Sequence, residues 1–279
     1  MRLVRFGPAG SERPGLMQQG KVIDLTSVFA DIPDIGEVFF RDGWLDKVRG
    51  VSAGESVPYD RLGCPVRKPG KIICLGINYR EHTREAGFDQ PENPLLFAKA
   101  PNALSGPTDP ILLPRSCSQI DWEVELAVVI GKKGKRIPKR AAFDHIAGVT
   151  VMNDVSGRQA QFADGQWFRG KSFDTFAPMG PAIVTLDEIG DIQNLHLTSL
   201  VDGQVMQDGS TADMIFPVAE LIEFISEDIT LLPGDVISTG TPSGVGIFRD
   251  PPVLLQPGNV VECRVEKIGS IVNPVVAER

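Results

Sequence analysis

The amino-acid sequence predicts an α+β fold that is mostly β, and three observations predict it. Apolar segments are short and rich in β-branched residues, as at 71–76 (Lys-Ile-Ile-Cys-Leu-Gly) and 146–152 (Ile-Ala-Gly-Val-Thr-Val-Met), which suits buried strands. There are 29 glycines and 22 prolines in 279 residues, as many turns between short strands require. A clear helical period occurs at 217–227, where Val218, Leu221, Ile222 and Ile225 share one face.

Composition narrows the class. Apolar content of 42% and charged content of 23% are those of a soluble globular chain. The length allows one large domain or a small one plus a large one. A formal net charge of −8 argues against electrostatic binding of nucleic acid. No apolar run approaches the ~20 residues of a membrane span, and residues 1–8 lack the apolar region of a signal peptide. Cys64, Cys74, Cys117 and Cys263 are scattered with no Cys-x-x-Cys spacing, so they read as reduced thiols of a cytoplasmic protein.

In chain order, 3–6 and 22–25 are short strands among Gly-Pro, Pro-Gly and Gln-Gly turn signals, while 26–29 and 35–48 have looser, helix-like spacing. Residues 1–68 are expected to form a small N-terminal domain for packing or dimerisation. Residues 65–70 form the linker, and 69–279 the larger domain. There, 71–76 is a strand, a helix starts near Tyr79 and stops at Gly87, 94–101 is a strand ending beside Lys99, and 111–113 is a short strand. The basic turn 132–140 reads as a solvated loop. Residues 141–145 look helical, 146–152 is a strand ending at Asn153-Asp154, and 182–186 and 196–201 are strands followed by a turn at Asp202-Gly203. Residues 231–246 pass from a turn through a strand into a loop dense in glycine and hydroxyls, and 260–268 closes the last strand region.

The stretch at 120–131 carries the most chemistry. In one strand, Asp121, Glu123 and Glu125 lie on one face and Trp122, Val124 and Leu126 on the other. The apolar run 126–130 points the strand into a core. A buried row of carboxylates needs a cation or raised pKa values, and a hard, oxygen-coordinated dication would serve. A wet edge strand is the other reading. His82 and Glu85, three apart, share a helical face, as a base with its orienting acid or as a plain solvated surface. Lys171 sits in a segment rich in glycine and aromatics that can pack its stem and offer its charge to a cleft. The Thr241 loop can hold a carboxylate through hydroxyl and backbone N–H groups, or can be a plain turn.

Six motifs in order give these signals a common meaning. They are Gly-Ile-Asn-Tyr-Arg-Glu-His (76–82), Phe-Ala-Lys (97–99), Asp-Trp-Glu-Val-Glu-Leu-Ala-Val-Val-Ile-Gly (121–131), Asn-Asp-Val-Ser-Gly-Arg (153–158), Gly-Lys-Ser-Phe-Asp-Thr-Phe-Ala-Pro (170–178) and Thr-Gly-Thr-Pro-Ser-Gly-Val-Gly (239–246). Together they resemble the fumarylacetoacetate hydrolase family over roughly 70–275, with 1–68 like the small leading domain of many bacterial members.

The resemblance implies a mixed β-roll or sandwich, a homodimer, and a bound Mg²⁺ or Mn²⁺ held by Glu123, Glu125 and Asp154, with Asp121 behind them. It implies His82, Glu85 and Lys171 as catalytic, and Lys99, Arg158, Gln161 and Thr241 as substrate-binding. The implied reaction is metal-dependent hydrolysis of a C–C bond in a 2,4-diketo acid of the acylpyruvate type, such as 2,4-diketo-3-deoxy-L-rhamnonate or -fuconate. Oxaloacetate decarboxylation and keto-acid isomerisation or dehydration share the same residues and remain alternatives. A metal-stabilised binding protein without catalysis is a further one.

Overall fold

The computed structural model describes residues 1–51, 54, 56–163 and 165–278. The fold is α+β and mostly β, as expected. Its main sheet runs, in spatial order, Ser56–Val57, Lys21–Asp24, Arg13–Gln18, Arg2–Phe6, Ala177–Val184, Ile146–Asn153, Val124–Ile130, Val236–Ser238, Ile72–Gly76 and Leu95–Lys99. Neighbours along this path are antiparallel except Val236–Ser238 and Ile72–Gly76, which run parallel. The leading strands continue the same sheet, because Arg2 and Leu3 pair with Val184 and Ile183.

A second, five-stranded sheet follows the order Gln204–Ser210, His196–Val201, Val260–Val265, Gly269–Ala277 and Ile111–Leu113. Its first hairpin turns at Asp202 and Gly203, with φ of 50° and 79°. Two positive φ values give the turn whose twist matches the flanking strands. The strand Gln204–Ser210 is absent from the sequence expectation. Its residues, Gln-Val-Met-Gln-Asp-Gly-Ser, carry weak β preference, and pairing to Leu197–Val201 supplies the order.

The acid-bearing stretch departs from the single strand expected of it. Ile120–Asp121 pairs with Ser156–Gly157, and a fresh strand, Val124–Ile130, pairs with Ile146–Asn153. The chain breaks at Trp122 and Glu123. Asp121 and Glu123 therefore do not share one continuous strand. Val124–Ile130 is buried along its whole length, as a strand flanked on both sides requires.

Helices are short. The spacing at 35–48 resolves into Glu37–Arg41 and Trp44–Arg49, separated by Gly43 at φ +73°, a conformation that glycine adopts without steric cost. Helix Val218–Asp228 buries the predicted stripe Val218, Leu221, Ile222 and Ile225. The basic turn docks on its far face, with Lys139 Nζ 2.8 Å from Glu220 Oε2. Among the described residues, no helix is long and apolar enough to cross a membrane.

Candidate active site

The central strands deliver three carboxylates to one point. Glu123 precedes Val124–Ile130, Glu125 lies within it, and Asp154 follows the paired strand Ile146–Asn153. Oxygens from Glu123, Glu125 and Asp154 all lie within 4.8 Å of one another, and all three residues are buried. The wet-strand reading is thus excluded.

Three cations surround them. Lys171 Nζ bridges Glu123 Oε2 at 2.7 Å and Asp154 Oδ2 at 2.8 Å. Arg158 Nη2 lies 2.7 Å from both Glu123 Oε1 and Asp121 Oδ2. Lys99 Nζ lies 2.7 Å from Asp154 Oδ1 and donates to the backbone carbonyls of Val155 and Lys171. Burial would raise the Glu123 carboxyl, but Lys171 and Arg158 outweigh it and hold the group at about 2. Glu125 meets no such pair. Burial, then the charges of Asp154 and Glu123, push its carboxyl well above the usual range. Its Oε2 accepts from Ser238 Oγ at 2.5 Å and from the Gly240 N–H at 3.0 Å.

Burial pushes the Lys99 ammonium below its ordinary value. It also works to lower Lys171, yet Asp154 and Glu123 more than offset it, and that group is raised. The donors are three crowded carboxylates, one of which is disfavoured as an anion. A hard dication takes oxygen ligands of this kind and would remove their mutual repulsion. The residues therefore fit Mg²⁺ or Mn²⁺.

His82 overlooks this floor from helix Arg80–Glu85. Its Nδ1 is 3.0 Å from Glu85 Oε2, and Glu85 Oε1 accepts from the Gly244 N–H at 2.8 Å. The helix is therefore fastened to the glycine-rich loop. A second fastening is Asn78, which donates to the Thr239 carbonyl at 2.8 Å and accepts from the Phe216 N–H at 2.9 Å. Between strand and helix, Ile77 is held at φ +54°, unusual for a β-branched residue.

His82, Glu123, Glu125, Arg158, Gln161, Lys171 and Thr241 all line one cavity, with aromatic walls that include Phe97, Trp167 and Phe248. Gln161 Oε1 accepts from Arg158 Nη1 at 3.1 Å. The Thr241 hydroxyl donates to the Val124 carbonyl at 2.8 Å and accepts from Gln207 Nε2 at 2.7 Å, so its hydrogen points into the protein. Asp154 and Glu85 back the lining residues. Lys99 stands apart: fully buried, it lies behind Asp154 and does not reach the cavity wall. Sequence reasoning missed Ser238, Gly240, Gly244 and Gln207, which bind site residues across long sequence separations. The signal that could have found Gly240 and Gly244 was the glycine-rich loop, whose N–H groups do hold carboxylates, those of Glu125 and Glu85.

Comparison with known proteins agrees with this geometry. Residues 71–276 match the model for the fumarylacetoacetate (FAA) hydrolase C-terminal domain. The chain belongs to the fumarylacetoacetate hydrolase family. It is 44% identical to the mitochondrial oxaloacetate tautomerase FAHD2A of Bos taurus, over 99% of this chain and 92% of that one. Among solved structures of the family, fumarylacetoacetate hydrolase from Exiguobacterium antarcticum is 36% identical, with a TM-score of 0.83 over 100% of both chains. Maleylpyruvate hydrolase from Sphingobium sp. SYK-6, solved with manganese(II) and pyruvate, is 29% identical, with a TM-score of 0.82 over 100% of both chains. This family member is thus related to enzymes acting on keto acids, named as hydrolases, isomerases and tautomerases.

Proposed function

We propose that the protein interconverts the keto and enol forms of a small 2-oxo acid of the oxaloacetate type, with Mg²⁺ or Mn²⁺ held by Glu123, Glu125 and Asp154. The observation that carries the reading is the buried carboxylate triad beneath a His82–Glu85 pair. The near-full-length likeness to an oxaloacetate tautomerase favours tautomerisation over bond cleavage. When bound, the dication supplies Lewis acidity towards the keto-acid oxygens.

The chain's own groups do the rest. Glu85 holds His82 Nδ1, which leaves Nε2 as the nitrogen that takes a proton from, or returns it to, the carbon beside the keto group. Lys171 presents an ammonium donor to the keto oxygen, where negative charge builds as that carbon loses its proton. Arg158 and Gln161 orient the substrate. The aromatic walls keep bulk water off the reacting carbon.

Hydrolysis of a C–C bond in an acylpyruvate-type 2,4-diketo acid is the second reading. The same His82–Glu85 pair suits activation of a water, and a maleylpyruvate hydrolase shares the fold. Four buried free thiols fit a reducing compartment, cytoplasm and mitochondrial matrix alike. The homodimer implied by the family resemblance belongs to the same proposal and is checked by light scattering.

The test follows the decay of enol absorbance with oxaloacetate and with an acylpyruvate, with Mn²⁺ and with chelator. Metal-dependent enol loss without pyruvate release supports tautomerisation. Stoichiometric pyruvate from the acylpyruvate selects hydrolysis instead, and carbon dioxide from oxaloacetate selects decarboxylation.

A further inference from the structure

We propose that Asp121 is a positioning residue that keeps Arg158 from neutralising Glu123, and thereby sets the affinity of the carboxylate triad for its dication. This rests on the metal reading given above. Asp121 is completely buried and engaged at both oxygens. Its Oδ1 accepts from the N–H groups of Trp122 at 2.9 Å and Gly246 at 2.7 Å. Its Oδ2 accepts from the Ile247 N–H at 3.0 Å, from Arg158 Nε at 2.9 Å and from Arg158 Nη2 at 2.7 Å. Two guanidinium nitrogens on one carboxylate fix the plane of Arg158. The same Nη2 is 2.7 Å from Glu123 Oε1. One positive charge is therefore shared between a carboxylate that lines the cavity and one that does not.

The charge balance shows what this sharing achieves. Four carboxyls, Asp121, Glu123, Glu125 and Asp154, face three cations, Lys99, Lys171 and Arg158. With each group in its ordinary charge state the cluster carries one net negative charge. A dication then leaves it one positive charge in excess, complementary to the carboxylate that adjoins the keto group of a 2-oxo acid. Without the Asp121 charge the cluster is already neutral before metal enters. Arg158 would then have Glu123 as its remaining anionic partner in this cluster, and would compete with the dication for that oxygen. Groups that contact metal ligands commonly change metal affinity by ~10–100-fold when lost; Arg158 is such a group, and Asp121 acts through it.

The experiment is a titration of the metal-free protein with Mn²⁺, followed by electron paramagnetic resonance of the free ion, for wild type, Asp121→Asn, Arg158→Gln and the double variant. Asn keeps the shape of Asp and its Oδ1 bonds. Asp121→Asn is expected to bind Mn²⁺ roughly 10–100-fold more weakly. Arg158→Gln should bind at least as tightly as wild type. The double variant should recover most of the loss, because the competing guanidinium has gone with its partner. Equal affinities in wild type and Asp121→Asn would overturn the proposal. So would a double variant no better than Asp121→Asn, since the loss would then come from displacement of the 246–247 loop. A wild type that binds no Mn²⁺ would instead refute the metal reading itself.

Discussion

Lys99 Nζ lies 2.7 Å from Asp154 Oδ1, and neither side chain has any solvent-exposed surface. An ammonium with no access to water is retained only where its partners are fixed. Here the backbone carbonyls of Val155 and Lys171 complete its coordination. Removing one member of a buried pair typically costs about 3–5 kcal/mol where the other is left without a partner; here Asp154 keeps Lys171 at 2.8 Å, which makes that range an upper bound. Lys99→Met, which keeps the stem volume, should lose about 1–3 kcal/mol in denaturant unfolding. The deficit should shrink when Mn²⁺ saturates the triad, because the dication offsets Asp154. A loss below about 1 kcal/mol would show that the pair does not hold the site together.

Metal binding should be visible in stability as well as in turnover. A ligand that binds only the native state at 100 times its Kd adds about 2.7 kcal/mol. Thermal unfolding of wild type with Mn²⁺ and with chelator should differ accordingly. Glu125→Gln should show no such difference and no metal-dependent activity. A Glu125→Gln protein still stabilised by Mn²⁺ would move the site elsewhere.

His82→Ala should lower kcat for enol loss by about 10²–10⁴, the usual worth of a placed base. Glu85→Gln keeps a hydrogen-bond acceptor for His82 Nδ1 and should cost less. If His82→Ala retained wild-type kcat, the proton would have to be handled by another group, with Lys171 of the same cavity the candidate.

Acid stability should report a cluster outside the cavity lining. Arg61 binds Asp109 at 2.8 Å and Glu12 at 2.8 Å. Burial raises both carboxyls, but the Arg61 hydrogen bonds, aided at Asp109 by the Gly106 N–H, more than reverse it and leave both below their ordinary values. A group with a lowered folded pKa stabilises fully above its unfolded value, about 4 for these acids. It loses that contribution as pH falls through the folded value. Unfolding free energy should therefore decline below about pH 4, and Asp109→Asn should flatten the decline. An unchanged slope in Asp109→Asn would remove this cluster from the explanation.

Much of this was legible in the sequence, and the limits are physical. The strands at 72–76, 111–113 and 196–201 and the helix at 218–228 follow from local pattern. The acid alternation put Asp121, Glu123 and Glu125 on one face, and the grouping of Glu123 and Glu125 with Asp154 was readable only through the family resemblance. Three things were not readable. The break at Trp122 and Glu123 depends on Ser156–Gly157 capturing Ile120–Asp121, a pairing invisible locally. The strand Gln204–Ser210 owes its order to its neighbour. The place of Lys99 depends on what lies behind Asp154, and a short motif records only that a lysine is present.

The parallel strands Ile72–Gly76 and Val236–Ser238 release their chains at the same end of the sheet. The His82 helix and the 239–246 loop thus begin side by side, laced together through Asn78, Glu85, Thr239 and Gly244. Anyone recombining this scaffold with a relative to widen its substrate range must move both segments as one cassette. A crossover that takes either alone inherits half of the lacing, and the histidine would then sit above a floor it was not shaped to meet.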